Sequence, residues 1–370
     1  MAAQNQRLPL VFDNGSALFK AGFAGEEEPK VIFPSIVGKP RHANLKEFQE
    51  ALAKMKKHYV GHEAVQKRGI LCLRYPIEGG VINKWEDMEA LWQHAFDNEL
   101  QVKPEEHPIL LTESPMNTKE NRTKILEIMF EKFNIPSVFM ANPAVMSLYA
   151  SGQTNGLVVD IGAGAAHIVP VHKGYAVSDA TQHFDVCGRE LTDYMMKILI
   201  ERDIEFCNAG DWRTARAIKE QLGYVALDYD RELQSDEAEI KKTYELLNEE
   251  TVTVGKERFR AAEPLFQPSL LEKGHPGLHQ AIWDTVQRCD ESIRSAVFSN
   301  VVLAGGSTLF PGIKERLEKE IKQITSAMFK IRAPEHRATS AWIGGSIFAC
   351  NDAFLGMSIT REKYEETGSS

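Results

Sequence analysis

Two short segments of the chain carry the residue types that bind phosphate and a divalent cation. The first is DNGSALFK at 13–20 and the second is DIGAGAAH at 160–167. In each segment an Asp follows an apolar run and small residues come next, which is typical of a strand that ends in a tight turn. Small residues let backbone N–H groups approach a phosphate closely. The two segments together therefore predict a clamp around one nucleotide.

Polar side chains in these segments are suited to the same ligand. The hydroxyl of Ser16 and the ammonium of Lys20 can contact phosphate oxygens. The carboxylates of Asp13 and Asp160 can hold a hydrated divalent cation, since Mg²⁺ and Ca²⁺ prefer oxygen ligands.

The elements that would position these residues follow an α/β pattern. Strand-like runs such as VFDNG, HPILLTE, LVVDIG and NVVLAGG alternate with helical patterns at 83–100, 118–133, 190–202 and 312–325. Strands followed by glycine recur at 13–15, 160–164 and 303–306. The recurrence predicts two related halves that face a shared cleft. Three unrelated strand-to-helix turns are the alternative interpretation.

Composition sets limits on the function. The chain has 370 residues, 43% of them hydrophobic and 26% charged, which suits about two globular domains. A net charge of −9 argues against a general nucleic-acid binder. The five cysteines show no C-x-x-C spacing, so neither a zinc site nor a disulfide framework is indicated. With no signal-like start and no run of 18 apolar residues, we expect a soluble cytoplasmic protein without a membrane partner.

The segment 41–61 has a helical pattern of its own. Its residues Leu45, Phe48, Leu52 and Met55 recur at spacings of three and four, and Asn44 precedes them as a candidate cap. We expect an amphipathic helix over 44–57. Its apolar stripe packs either on the parent domain or on a partner.

Motifs along nearly the whole chain resemble those of the actin family. They include DNGSALFKAGFAG, RGILCLRYPIEGG, GRELTDYMMKIL, ERFRAAEPLFQPS, LAGGSTLFPG and SAWIGGSIFA, in the family's order. The resemblance implies a two-lobed α/β fold with ATP or ADP, and Mg²⁺ or Ca²⁺, in the cleft between the lobes. It implies an outer lobe with a large subdomain (1–36, 76–150 and 340–370) and a small one (37–75), and an inner lobe with a large subdomain (151–186 and 274–339) and a small one (187–273).

The same resemblance assigns nucleotide-binding residues by motif. The first phosphate loop would contain Gly15, Ser16, Ala17 and Lys20, and the second Asp160, Gly162 and Gly164; the ribose and base would be bordered by Gly188, Lys219, Glu220, Gly306, Leu309 and Phe310. Asp13 and Asp160 would hold the metal through water. The alternative interpretation of the glycines is plain tight turns, and that of Lys219 and Glu220 is a solvated helix face.

Five positions around this ligand depart from the family pattern. Ala163 replaces an Asp of the cation's water shell, and Pro143 replaces the Gln that positions the attacking water. Ala17 replaces a Gly, Gly79 a His and Ala338 a Lys. Phosphoryl transfer to water depends on positioning and charge stabilisation. We therefore expect weakened metal binding and at most a slow ATPase, in which His167 could still hold a water.

Surfaces that actin uses for assembly are also altered. Segment 270–277, LLEKGHPG, stands where actin has a largely apolar plug, and Glu272, Lys273 and His275 make its burial costly. Near Tyr149 and Phe348 the chain keeps the apolar character of the cleft that receives actin-binding proteins, although Asn351 and Ser358 are polar there.

These features support two functional hypotheses. The first is a cytoskeletal actin-like protein that binds nucleotide, hydrolyses it slowly or not at all, and assembles with itself into filaments or sheets of non-standard geometry. The second is a non-polymerising actin-related subunit of a larger complex. A sugar kinase or chaperone of the same superfold is a weaker third interpretation, because no catalytic carboxylate facing a sugar pocket and no substrate-binding module is evident.

Overall fold

The chain folds into two compact units. The computed structural model describes residues 8–41, 55–202, 211–246, 251–351 and 353–367. One unit comprises Met1–Gln153 with Thr339–Ser370, and the other Thr154–Ala338. All but the last three residues of the helix expected at 44–57 lie outside the described residues.

Strands supply the framework of both units. In chain order they are β1 Leu10–Asn14, β2 Leu18–Phe23, β3 Val31–Pro34, β4 Val37–Pro40, β5 Tyr59–Val60, β6 Leu71–Arg74, β7 Ile77–Glu78, β8 Val81–Ile82, β9 Ile109–Thr112, β10 Ser137–Ala141, β11 Gly156–Ile161, β12 Ala166–His172, β13 Tyr175–Ala176, β14 Gln182–His183, β15 Lys242–Glu245, β16 Thr251–Val254, β17 Val301–Ala304, β18 Ile331–Arg332 and β19 Ile359–Thr360.

Helices connect and cover these strands. In chain order they are α1 Gly61–Gln66, α2 Trp85–His94, α3 Lys119–Glu127, α4 Pro143–Ala150, α5 Gly188–Ile200, α6 Asp211–Leu222, α7 Tyr229–Gln234, α8 Glu237–Ile240, α9 Glu257–Arg260, α10 Leu278–Arg288, α11 Glu291–Phe298, α12 Ile313–Ile324, α13 Ser340–Ala349, α14 Ala353–Met357 and α15 Arg361–Thr367. The helices predicted over 83–100, 118–133, 190–202 and 312–325 are confirmed as α2, α3, α5 and α12. The first two continue as π-helical turns to Leu100 and Lys132.

The first unit contains a six-stranded sheet in the order β19-β10-β9-β1-β2-β3. Strand β1 pairs in parallel with β9 and antiparallel with β2, and β9 pairs in parallel with β10. The carboxyl ends of β1, β9 and β10 consequently lie along the same edge of the sheet. That edge carries Asp13, Thr112 and the chain segment that enters α4.

The second unit repeats this arrangement in the sheet β13-β12-β11-β17-β18. Strand β11 pairs antiparallel with β12 and in parallel with β17. In both units the strand that ends in a candidate phosphate turn therefore continues into a hairpin with its neighbour. The hairpin register sets Lys20 opposite Asp13 in the first unit and His167 opposite Asp160 in the second.

Buried apolar side chains fix the position of each candidate turn. Phe12 packs against Phe19 and Phe96 with ring centroids 5.1 and 5.0 Å apart, and all three rings are fully buried. In the second unit Val159 and Leu303 are fully buried on neighbouring parallel strands. Burial of one such side chain contributes about 1.5–3 kcal/mol. The strands that lead into both turns are thus anchored in well-packed cores.

Candidate functional site

The first candidate turn connects β1 to β2 and places a paired carboxylate at its start. The Nζ of Lys20 lies 2.6 Å from Asp13 Oδ2, and the hydroxyl of Thr112 donates a hydrogen bond of 2.8 Å to Asp13 Oδ1. Both charged side chains are nearly buried, with 12% and 10% of their side-chain surfaces exposed. The arrangement holds an ammonium and a carboxylate beside the turn in fixed positions.

Backbone donors of this turn are available to an anion. Within the described residues, the N–H groups of Ser16 and Ala17 donate to no protein acceptor. Gly15 is required here, because a Cβ at this position would lie 2.4 Å from the carbonyl oxygen of Leu18. Neighbouring unpaired N–H groups in a turn form an anion-binding concavity.

The second candidate turn, between β11 and β12, also has adjacent backbone N–H groups that are available to an anion. Gly162 donates its N–H to the carbonyl of Ala165 at 2.9 Å, which closes the turn. The N–H groups of Ala163 and Gly164 donate to no acceptor among the residues that the structure describes. Asp160 precedes the turn, as Asp13 precedes the first one.

Gly188 and Lys219 are brought together beside the second turn. The N–H of Gly188 donates to the carbonyl of Gly162 at 2.9 Å, and Lys219 Nζ donates to the carbonyl of Gly188 at 2.7 Å. A Cβ on Gly188 would lie 2.5 Å from the hydroxyl oxygen of Ser307, so glycine alone permits this approach. Burial lowers the pKa of Lys219 from 10.5 to about 8.

The 3₁₀ turn Gly306–Thr308 closes the other side of the second turn. The hydroxyl of Ser307 donates to the carbonyl of Gly162 at 2.9 Å. Gly305 has a φ of +82°, and a Cβ there would lie 2.5 Å from Asp160 Oδ1. By contrast, a Cβ on Gly306 would meet nothing within 4 Å. Gly305 and Ser307 thus lie against the second phosphate turn and the end of β11, whereas Gly306 faces open space.

The remaining predicted site residues of this unit differ in their exposure. Leu309 is 45% exposed next to the open space, whereas Phe310 is 7% exposed and belongs to the apolar core. Glu220 is 53% exposed and pairs with Arg216, its Oε1 lying 2.7 Å from Arg216 Nε. Lys219 is buried and therefore does not belong to a solvated helix face.

His167 is a buried, neutral side chain at neutral pH. Only 6% of the residue is exposed, and burial together with the nearby charge of His183 lowers its pKa to about 4. The two imidazole rings meet edge to face with centroids 5.4 Å apart. A neutral imidazole offers one donor and one acceptor nitrogen, so His167 can orient a water but carries no charge for a phosphate.

A comparison with protein families decides the classification of the chain. The model of the Actin family matches residues 4–370. The chain belongs to the actin family. Its mixed helices and sheets agree with an actin-like α/β fold. Within the described residues, no helix has the length and apolar character needed to cross a membrane.

Pro143 lies where the chain leaves β10 and enters a helix. It is the first residue of α4, and the side chain of Asn142 caps that helix by accepting a 2.9 Å hydrogen bond from the N–H of Ala144. Proline suits this position because its fixed φ matches the helix and its missing N–H would lack a partner there. Asn142 and Pro143 together therefore give α4 a regular first turn.

Two of the other expected departures from the actin pattern, Ala17 and Gly79, fit the local backbone. Ala17 has a negative φ, so its methyl group causes no backbone strain in the first turn. Gly79 and Gly80 both have positive φ, +59° and +78°, in the two-residue turn between β7 and β8. A His at position 79 would be strained in this conformation. These replacements are therefore compatible with ordered turns.

Sequence patterns missed several residues that complete the site. Thr112 holds Asp13, and its position at the end of a strand parallel to β1 was the available signal. The Sγ atom of Cys187 lies 2.8 Å from Glu190 Oε2 and 3.0 Å from the carbonyl oxygen of Ala163, so its single thiol proton is shared between two acceptors. Burial, and then the hydrogen bond to Glu190, raise the pKa of this thiol to about 12, so it stays protonated.

A separate cluster of His58, Glu86 and Asp87 has ligand atoms within 4.8 Å of one another. Lys39 and Arg74 already pair with Asp87, at 3.2 and 2.7 Å. Because these cations neutralise the buried carboxylate, the cluster is an ion-pair network that ties β4 and β6 to α2.

Proposed function

We propose that this protein is an actin-like assembly protein whose two candidate turns together bind ATP or ADP with Mg²⁺ or Ca²⁺. The observation that carries the proposal is the repeated turn itself: an Asp at the end of a central strand, followed by two adjacent backbone N–H groups that have no acceptor in the part of the chain that the structure describes. A phosphate chain supplies the acceptors that such groups lack.

The donor set suits the nucleotide. Ser16 lies in the first turn and Lys20 beside it on β2, and the second turn is bordered by Gly188, Gly306 and the buried ammonium of Lys219. Asp13 and Asp160 would hold the divalent cation through its water shell, and the cation would neutralise phosphate charge. One of the family's metal-shell carboxylates is replaced by Ala163, so binding of the cation is expected to be weaker than in actin.

Hydrolysis is proposed to be slow or absent. Where actin has the Gln that orients the attacking water, this chain has Pro143. Proline has neither a side-chain amide nor a backbone N–H. Neutral His167 remains as a group that could hold a water. We propose that the nucleotide mainly stabilises the folded protein by mass action, and that its hydrolysis contributes little.

We propose that the protein assembles with itself into filaments or sheets, and membership of the actin family supports this proposal. Two regions bear on these contacts. The segment 41–61, which the resemblance places where actin makes longitudinal contacts, has a helical sequence pattern of its own and is proposed to contact a neighbouring subunit differently. In addition, an apolar patch is available to actin-binding proteins: the rings of Tyr149 and Phe348 meet at 6.0 Å, and Ile347 is 47% exposed beside them.

The two polar replacements near that patch differ in their exposure. Ser358 is 2% exposed and donates its hydroxyl to the carbonyl of Phe354. Asn351 is exposed, and its side-chain oxygen accepts from the N–H of Ala353. Because Ser358 is buried and nearby backbone holds the side-chain oxygen of Asn351, we propose the patch as a docking site for an amphipathic helix.

A non-polymerising structural subunit is the second candidate function. It is favoured by segment 270–277, where actin has its plug. Lys273 Nζ donates to the carbonyl of Asp185 at 2.5 Å, and the rings of His275 and Phe184 meet at 5.2 Å. These contacts attach the segment to its own unit, which reduces its availability to a neighbouring subunit.

Pelleting separates the two functions. The purified protein is brought to polymerising salt with Mg²⁺ and ATP, centrifuged, and the pellet is examined by electron microscopy. Filaments or sheets support self-assembly, whereas persistent monomers at high concentration support the structural subunit. Melting temperatures with ATP, with ADP and without nucleotide test the binding site; identical melting in all three contradicts it.

A further inference from the structure

Arg337 contacts both ends of the turn Gly305–Leu309. Its backbone carbonyl accepts the N–H of Gly305 at 3.0 Å. Its guanidinium donates from Nε and Nη2 to the carbonyl of Thr308, at 3.2 and 3.1 Å. One residue thus fixes the beginning and the end of a turn that has open space at Gly306.

The same guanidinium is held from the other side. Its Nη1 donates to the carbonyl of Pro334 at 2.8 Å and lies 3.4 Å from the carbonyl of Ala333. Partial burial lowers the pKa of Arg337 from its usual value. A planar fork with several donors can bridge two backbone segments in this way, whereas the ammonium of a lysine acts as a single point charge.

The turn that Arg337 holds is connected to the second phosphate turn. Ser307 bonds the carbonyl of Gly162, and Gly305 approaches Asp160 so closely that a side chain would not fit. The position of Gly306 and Leu309 relative to Gly162 is therefore set by Ser307 on one side and by Arg337 on the other.

We propose that Arg337 is a positioning residue for the nucleoside, holding the turn Gly305–Leu309 in the geometry that receives adenosine. Arg337 acts through the turn and does not itself contact the nucleotide. The inference rests on the proposed function, because it requires that the turn borders a bound nucleotide. The next residue, Ala338, lacks the long side chain that borders adenine in actin, so the turn carries a larger share of the nucleoside contact.

Three variants test the role of this side chain. Arg337→Ala removes the whole fork, Arg337→Lys keeps the charge but not the fork, and Arg332→Ala is the matched control. Arg332 lies in the same segment, but its Nε bonds the side chain of Asn300 at 3.2 Å instead of the turn. Each full-length protein is loaded with 1,N⁶-ethenoadenosine triphosphate, and dissociation is followed by fluorescence. Binding of Mg²⁺-tripolyphosphate is measured in parallel by calorimetry.

We expect Arg337→Ala to release the nucleotide about 10-fold faster, as for the loss of charge-assisted hydrogen bonds. We expect Arg337→Lys to lie between this variant and the wild type, and Arg332→Ala to behave like the wild type. Affinity for tripolyphosphate should stay unchanged in all three, because the hydrogen bonds of Arg337 reach the turn Gly305–Leu309, whereas Gly162 N–H bonds Ala165 within the second phosphate turn itself. General destabilisation of the protein would instead lower its affinity for both the nucleotide and tripolyphosphate.

Two results overturn the inference alone: wild-type release from Arg337→Ala, or an equal loss of nucleotide and tripolyphosphate affinity. If Arg337→Ala does not fold, Arg337→Lys decides, since unchanged release from that variant also overturns it. A wild-type protein that binds no adenine nucleotide overturns the proposed function and this inference together.

Discussion

Lys219 donates a hydrogen bond of 2.7 Å from its Nζ to the backbone carbonyl of Gly188, although the residue is only 4% exposed. The contact joins α6 to the first residue of α5. A charged ammonium in such a buried position is costly unless an anion compensates for it. Burial accordingly lowers the pKa of Lys219 to about 8, while the nearby carboxylate of Glu220 partly offsets the cost of the charge.

We predict that Lys219 makes the nucleotide-free protein more stable as the pH rises from about 8 to 10.5. Its pKa is about 8 in the folded protein and 10.5 in the unfolded chain, so the unfolded chain binds the extra proton between these values. The free energy of unfolding should rise by roughly 2 to 3 kcal/mol across this window. Denaturant unfolding at a series of pH values measures it.

Lys219→Met should remove this rise, because Met has a similar length and no titrating group. Lys197→Met is the control, since Lys197 is exposed on α5. If the free energy of unfolding of Lys219→Met still rises between pH 8 and 10.5 as in the wild type, Lys219 is not the group responsible.

His167 should destabilise the protein in acid. Its pKa is about 4 in the folded protein against 6.5 in the unfolded chain, so the unfolded chain takes up a proton between these values. The free energy of unfolding is therefore expected to fall by about 3 kcal/mol as the pH drops from 6.5 to 4. The measurement compares wild type with His167→Gln, in which this contribution should disappear. His62→Gln, at an exposed position on α1, serves as the control; equal acid sensitivity in wild type and His167→Gln would exclude the effect.

Restoring an amide at position 143 should accelerate hydrolysis. Pro143→Gln returns the side chain that orients the attacking water in actin, and we expect phosphate release to rise about 10-fold or more. The Asn142 cap does not depend on Pro143, so α4 should persist at a cost of about 1 kcal/mol or less. Phosphate release from the ATP-loaded protein is followed over hours.

Pro143→Ala distinguishes the effect of the added amide from the effect of removing proline. It should be as slow as the wild type. Equal acceleration in both variants would show that proline itself restrains turnover, and a wild-type rate already equal to that of actin would show that the site compensates for Pro143.

A carboxylate at position 163 should strengthen metal binding. Ala163→Asp adds a ligand for the cation's water shell beside Asp160, and we expect about a 10-fold tighter apparent affinity for Mg²⁺ in the presence of ATP. Nucleotide release after addition of EDTA reports this affinity. Ala165→Asp, in the same turn, is the control for added negative charge. Similar tightening in both variants would contradict a specific position for the metal.

Local patterns predicted many of the elements but not their connections. The run of apolar residues in LVVDIG predicted β11, because a strand covered on both faces is apolar along its length. The spacing of Ile313, Leu317 and Ile321 predicted α12, and all three residues are buried on one face. The run HPILLTE placed Thr112 at the end of a strand, but the pairing of that strand with β1, and so the bond to Asp13, depends on the sheet order. Nothing in the local sequence indicated that Arg337 would bridge the turn after Gly305.

The sequence by itself determined the family, the strands that end in the two candidate turns and the replacements at Pro143 and Ala163, because apolar periodicity and motif order are local properties of the chain. Only the tertiary structure decided which polar groups meet: Lys219 with Gly188, Ser307 with Gly162, and Asp13 with Thr112. These pairs are separated by up to 145 residues. Their contacts depend on sheet order and packing, which determine the hydrogen bonds and burial that set the pKa values of Lys219 and His167.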